Sequence, residues 1–280
     1  MSNKKRLFLL GKNVIFLITC LLGLLASLLL SSVLPDNIST PIAIFLSGVF
    51  DFAVCISIVI FFIRVIDKDT ISLKRFSIRN TNELLIGSLL GAVSIIIGFL
   101  IIIQLKWDLI EILPLRITYL FSSFLMLAFG AFLEEIIFRG YILRKLSGEF
   151  SAFTALLLSS VLFMLAHIFN ASISFFPLLN IFLAGILLGL LYLITRNIWM
   201  VAGFHLFWNY TQSLLGFDVS GQGLPSVFTL NFPEMNSLNG GEFGFEGSYI
   251  CSAILTIGTI SAAYLLKKRN SYDMNLKQDN

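Results

Sequence analysis

The sequence predicts an all-α, polytopic membrane protein of about eight transmembrane helices with both termini in the cytoplasm. Three observations carry this expectation. Of 280 residues, 57% are hydrophobic and only 12% are charged, whereas an ordinary soluble domain carries about 25% charged residues. Several uncharged apolar runs reach the roughly 20 residues that cross a bilayer. The basic residues are segregated as well. With the N-terminus inside and alternating spans, only Lys106 and Arg116 of the 19 Lys and Arg fall outside, which is the asymmetry of cytoplasmic loops.

Each span follows from its own run. The apolar stretch Asn13–Leu34 exceeds the roughly 7–15 residues of a signal-peptide core, so Val14–Leu34 reads as an uncleaved first span ended by Pro35-Asp36. The second runs from Pro41 to Ile63, before a basic loop with Arg64, Lys68, Lys74, Arg75 and Arg79. The third, Leu84–Ile103, carries Gly87 and Gly91 at a spacing that lets helices approach closely. Lys106-Trp107-Asp108 marks an interface. The fourth starts near Ile117 and continues to Ser147-Gly148, the fifth runs from Ala152 to about Phe169, the sixth from Phe176 to Thr195 and the seventh from Ile198 to Leu215. A Gly-, Asn- and Ser-rich loop, Gly216–Gly247, has no Lys or Arg and suits the outside. The eighth span is Ser248–Leu266, closed by Lys267-Lys268-Arg269 and a polar, disordered tail. Cys20, Cys55 and Cys251 are scattered in apolar segments and read as small hydrophobes, not as a disulfide or metal framework. No basic, aromatic-interleaved face suggests nucleic acid.

Chemistry concentrates in four polar positions. Ala131-Phe-Leu-Glu134-Glu135-Ile-Ile-Phe-Arg139 ends an uncharged run. Ionisable groups inside hydrocarbon cost about 2.5–3.5 kcal/mol each on insertion scales, so they are rare and usually functional. Glu135 and Arg139 share a helix face at i, i+4 and can pair; that leaves Glu135 ionised and structural. Glu134 diverges by about 100°. It has no partner on its own helix and an apolar setting, the surroundings of a carboxylate that serves as general base or acid near neutral pH. A hairpin folded between Glu149 and Phe150 puts Glu134 about 15.5 residues before the turn and His167 about 17.5 after it, so their levels differ by about 3 Å. His205 lies about 12 Å above the Arg196-Asn197 turn, against about 13–14 Å for Glu134 above a boundary near Leu143. Asn209 is one turn beyond His205 on the same face, and an imidazole beside an amide makes a donor pair for a developing oxyanion. Asp51, midway in the second span, fits a functional acid and an interhelical hydrogen bond equally well, and Asn180 reads as interhelical glue.

Glu134-Glu135-x-x-x-Arg139, Phe163-x-x-x-His167 and His205-x-x-x-Asn209, in order and in separate spans, resemble the three motifs of the type II CAAX prenyl endopeptidases. Bacterial relatives, the CPBP or abortive-infection group, include bacteriocin-processing and self-immunity proteins. The resemblance covers about Ile117 to Leu215, and Gly240-Gly-Glu242-Phe-Gly-Phe-Glu246-Gly is similar to a loop of bacterial relatives. It implies an intramembrane endopeptidase in a cell membrane, in contact with lipid and acting on a membrane-associated peptide or protein. It implies that Glu134 and His167 activate water, that His205 and Asn209 hold the oxyanion, that Glu135 and Arg139 support the fourth helix, and that Phe163 is packing. On this basis residues 1–112 are a three-helix scaffold, 113–216 the catalytic core, 217–247 an extracytoplasmic loop, and 248–280 the last span and tail. The expected mechanism needs no metal. Zinc on Glu134, His167 and His205 is the alternative, because two His and one Glu form a zinc-like set, although no HExxH occurs. Two other classes compete: a non-catalytic immunity or regulatory protein on the same fold, and a transporter. The absence of an obvious inverted repeat weighs against the transporter.

Overall fold

In the computed structural model, which describes residues 3–35, 37–69, 81–104 and 110–278, the chain folds as eight helical rods. They are α1 (Asn3–Ser31), α2 (Thr40–Ile66), α3 (Asn82–Gln104), α4 (Ile117–Ser147), α5 (Ala152–Ala166), α6 (Phe175–Thr195), α7 (Ile198–Leu214) and α8 (Tyr249–Gln278). Six of them, α1 to α4, α6 and α8, are long and apolar enough to cross a membrane. Helices α5 and α7 are shorter, at 15 and 17 residues. Leu22, Leu85, Leu89, Ile257 and Ile260 are all at least 60% exposed, an arrangement that only lipid makes favourable. The protein is a multi-pass membrane protein. Asp36, the basic residues Lys74, Arg75 and Arg79, and the Lys106-Trp107-Asp108 interface lie outside the described residues.

Glycine brings the rods together where it was expected to. A Cβ on Gly87 would lie 2.0 Å from the Met200 carbonyl oxygen, and one on Gly91 2.3 Å from that of Phe204. Helix α3 therefore lies backbone to backbone along α7, running parallel to it. At Gly185 and Gly189 of α6 the neighbours are Ser160 and Leu156 of antiparallel α5. Such contacts replace the hydrophobic drive that lipid removes between helices.

Three details differ from expectation. Helix α5 stops at Ala166 rather than near Phe169, which leaves His167 at its C-cap with φ −103° and ψ 2°. Helix α8 continues to Gln278 rather than giving way to a disordered tail; beyond Leu266 there is no Gly or Pro to stop it. Two three-residue strands, Ile110–Ile112 and Phe228–Leu230, form an antiparallel ribbon in which Glu111 faces Thr229. Both alternate in polarity, so short ladders satisfy backbone groups of the loops before α4 and after α7.

At the basic end, Asp67 and Asp69 beyond α2 collect cations from α1 and α4. Asp67 pairs with Lys12 and, at 3.0 Å, with Lys145; Asp69 pairs with Lys145 at 3.1 Å and Arg144 at 3.3 Å. Burial alone would raise the Asp67 carboxyl, but hydrogen bonds from Lys12, Lys145 and Tyr141 reverse this and hold it below its ordinary value. A group depressed on folding stabilises above its unfolded pKa, and that contribution is lost as pH falls through the folded one. Thermal melts in detergent are therefore expected to show an acid limb, below about pH 4, that flattens in Asp67→Asn. A wild-type acid limb retained in full by the variant would remove Asp67 from this role.

Candidate active site

Helix α4 is α-helical through Glu135 and then widens into π turns from Ile136 to Leu143. Such i→i+5 turns are rare and often occur at functional sites. Glu135 and Arg139 point into the bundle, with side chains 0% and 1% exposed. Glu134 opens instead onto a cavity of about 300 Å³, with its side chain 34% exposed.

The buried pair is a junction of four helices. Arg139 Nη1 donates to Glu135 Oε1 at 2.7 Å and Nη2 to the Gly185 carbonyl of α6 at 3.2 Å. Its guanidinium lies 4.7 Å from the centre of the Phe163 ring on α5. Glu135 Oε1 also faces His205 Nδ1 on α7 at 2.8 Å. One oxygen thus receives two donors, while Oε2 has none. Expected only to support α4, Glu135 also orients an imidazole from a distant helix. Phe163, expected only to pack, carries the guanidinium on its face and accepts His167 Nδ1 at its carbonyl at 2.8 Å.

These contacts fix both rings. A carbonyl oxygen can only accept, so His167 Nδ1 carries a proton, and Nε2 accepts wherever the ring is neutral. Likewise, Nδ1–H of His205 is committed to the Glu135 carboxylate, and Nε2 donates only in the imidazolium form. Both Nε2 atoms face Glu134 Oε2, at 3.8 Å from His167 and 3.9 Å from His205. Glu134 Oε2 and Asn209 Oδ1 are buried without a hydrogen-bond partner. Asn209 lines the same cavity as Glu134 and His167. The separations exceed a direct hydrogen bond and suit one bridged by a solvent molecule. All four expected residues, Glu134, His167, His205 and Asn209, therefore border one region. As donors, Glu134, His167 and His205 have the chemistry of a zinc site. Among the described residues, however, no three His, Cys, Asp or Glu side chains are gathered so as to hold a metal ion.

The Gly216–Gly247 loop completes the chamber, which composition did not reveal. Ser220, Gln222 and Leu224 line the far end of the cavity. Glu246 anchors the loop. It accepts from Trp208 Nε1 at 3.2 Å, Gln212 Nε2 at 3.4 Å and Ser220 Oγ at 2.8 Å, and its carbonyl accepts from Asn180 at 2.7 Å. Asn180 is thus a tie between α6 and the loop. Gly244, at φ 91°, passes so close to the Asp218 carbonyl that a Cβ would lie 1.8 Å from its oxygen. Only glycine fits there, and Gly240, at φ 96°, is held as closely against the Gly244 carbonyl.

Residues 116–211 match the family model of the Rce1-like type II CAAX prenyl endopeptidases. The similarity covers about a third of the chain. That match runs from the start of α4 into α7 and contains Glu134, Glu135, Arg139, His167, His205 and Asn209. A comparison with curated proteins finds no match. The matched segment sits among helices α1 to α3 and α8, which lie outside the match.

Proposed function

We propose that the protein is an intramembrane endopeptidase that hydrolyses a peptide bond of a membrane-associated protein or peptide. The observation that carries this reading is Glu134 Oε2. It is unpartnered, faces a cavity, and lies under 4 Å from two imidazole Nε2 atoms. A water between Glu134 and His167 gives one hydrogen to each, which aims its lone pair into the cavity. Glu134 takes the proton as the water oxygen bonds to the carbonyl carbon. The resulting oxyanion is met by the Asn209 amide and by His205 as an imidazolium, whose charge the Glu135 carboxylate balances while Glu134 holds the proton. Glu134 then returns its proton to the nitrogen as the C–N bond breaks. Glu135 and Arg139 act through His205 and the helix frame. No step requires a metal; zinc on Glu134, His167 and His205 is the rival.

Purified full-length protein incubated with a pool of apolar peptides is expected to cleave at defined bonds, to carry less than one equivalent of zinc, and to keep its activity in chelator. Stoichiometric zinc with chelator-sensitive cleavage would favour the rival. An untouched pool, together with full protection by Glu134→Ala in a peptide-toxicity assay, would favour a non-catalytic immunity protein.

A further inference from the structure

The main cavity does not end at the catalytic residues. It continues between α1, α2 and α4, past Leu17, Leu21, Gly48, Met126 and Gly130, to Asp51. Two carboxylates, Asp51 and Glu134, stand in its wall, and among the described residues no Lys or Arg does. Asp51 has no salt-bridge partner among the described residues. The hydroxyl of Ser27, on α1, faces it. A carboxylate held in an apolar membrane cavity is costly unless something cationic or strongly donating meets it. Here the protein offers Ser27 and open space.

The level of Asp51 follows from packing. Helices α2 and α4 run parallel, because each follows an odd number of crossings from the N-terminus. A Cβ on Gly48 would lie 2.9 Å from Met126 Cα, and the Phe52 and Phe129 rings lie 5.4 Å apart. This register places Asp51 level with residues 128–129 of α4, roughly 7–9 Å from the level of Glu134, toward the loop end. An extended peptide advances about 3.3 Å per residue, so the offset corresponds to two or three residues.

We propose that Asp51 is a specificity residue: the cavity takes an apolar peptide segment with one basic side chain, Lys or Arg, two or three residues from the bond that is cut. The inference rests on the endopeptidase reading and names the substrate class of that site. The apolar wall accepts the segment, Asp51 pairs with the cation once both are out of bulk water, and that pairing fixes which bond lies over Glu134. In a protein or peptide at a membrane, such a residue sits next to the hydrophobic stretch.

The test uses full-length protein and apolar peptides in which a single Lys walks along the chain, with matched norleucine and Glu sets. Cleavage sites are read by mass spectrometry. Wild type is expected to cut Lys peptides about tenfold faster or more than norleucine peptides, at a fixed offset from the Lys. In Asp51→Asn that ratio should fall toward one, and in Asp51→Lys the preference should turn to Glu peptides. A ratio is insensitive to loss of folded protein. Cleavage without Lys dependence, or a Lys preference that survives Asp51→Asn, would overturn the proposal while leaving the peptidase intact. If wild type cleaves nothing, binding of the same peptides to wild type and Asp51→Asn decides. Binding that depends on both Lys and Asp51 supports the cation subsite without the peptidase, and binding that depends on neither overturns it.

Discussion

Glu134→Gln is expected to reduce peptide cleavage by roughly 100- to 10,000-fold, the range set by losing a positioned general base. The substitution keeps size and hydrogen-bonding capacity at a position whose side chain is 34% exposed and forms no hydrogen bond through Oε2. It therefore removes proton transfer with little change in packing, and the melting temperature should stay within a few degrees of wild type. His167→Ala should fall into the same range, because His167 orients the same water. Single-turnover cleavage paired with a thermal melt measures both quantities. A Glu134→Gln protein that cleaves at the wild-type rate would end the assignment of Glu134 as base. One that neither cleaves nor folds would demand the Glu134→Asp variant, in which a shortened base should leave measurable activity.

Much of this site was legible in the chain because it depends on counting. Adjacent helical residues diverge, so Glu134 and Glu135 had to face different surroundings, and they do: one faces a cavity, the other a buried guanidinium. Depth counting from two turns placed Glu134, His167 and His205 near one level, and the structure has them under 4 Å apart through Glu134. What was hidden depends on azimuth. The 2.8 Å contact of Glu135 with His205 joins residues 70 apart in sequence on helices that are not neighbours along the chain. Spacing within either helix cannot encode the rotation of one about the other. The same holds for Arg139 over Phe163 and for its bond to the Gly185 carbonyl. The π turns from Ile136 to Leu143 were invisible because the side-chain pattern of Ile-Ile-Phe-Arg-Gly-Tyr-Ile-Leu suits an α-helix as well. The fixed shape of the loop was hidden for another reason. Gly, Asn and Ser signal irregular backbone, and only contacts such as those of Glu246 show that the irregular backbone is fixed.

Arg139→Met is expected to be the most destabilising single change in the core, at about 3–5 kcal/mol. Methionine fills much of the space, so the cost is electrostatic: Glu135, 0% exposed, keeps its charge and retains only His205 as a donor. The Gly185 carbonyl loses its side-chain donor and the Phe163 ring its cation as well. The variant should accumulate poorly or melt far below wild type. Glu135→Gln should cost less, because an amide oxygen still accepts from His205 Nδ1–H and from Arg139, although the guanidinium is left without a counter-charge. It should nonetheless slow cleavage, since a neutral amide supports the His205 imidazolium less well than a carboxylate does. A helix brace without contact to His205 would have no such kinetic effect. The double variant separates the terms. With both charges gone, Glu135→Gln/Arg139→Met should be more stable than the sum of the single losses, the non-additivity expected of groups in direct contact. Additive losses, or a single Arg139→Met cost within about 0.5 kcal/mol of zero, would mean that the buried pair does not hold the four helices together.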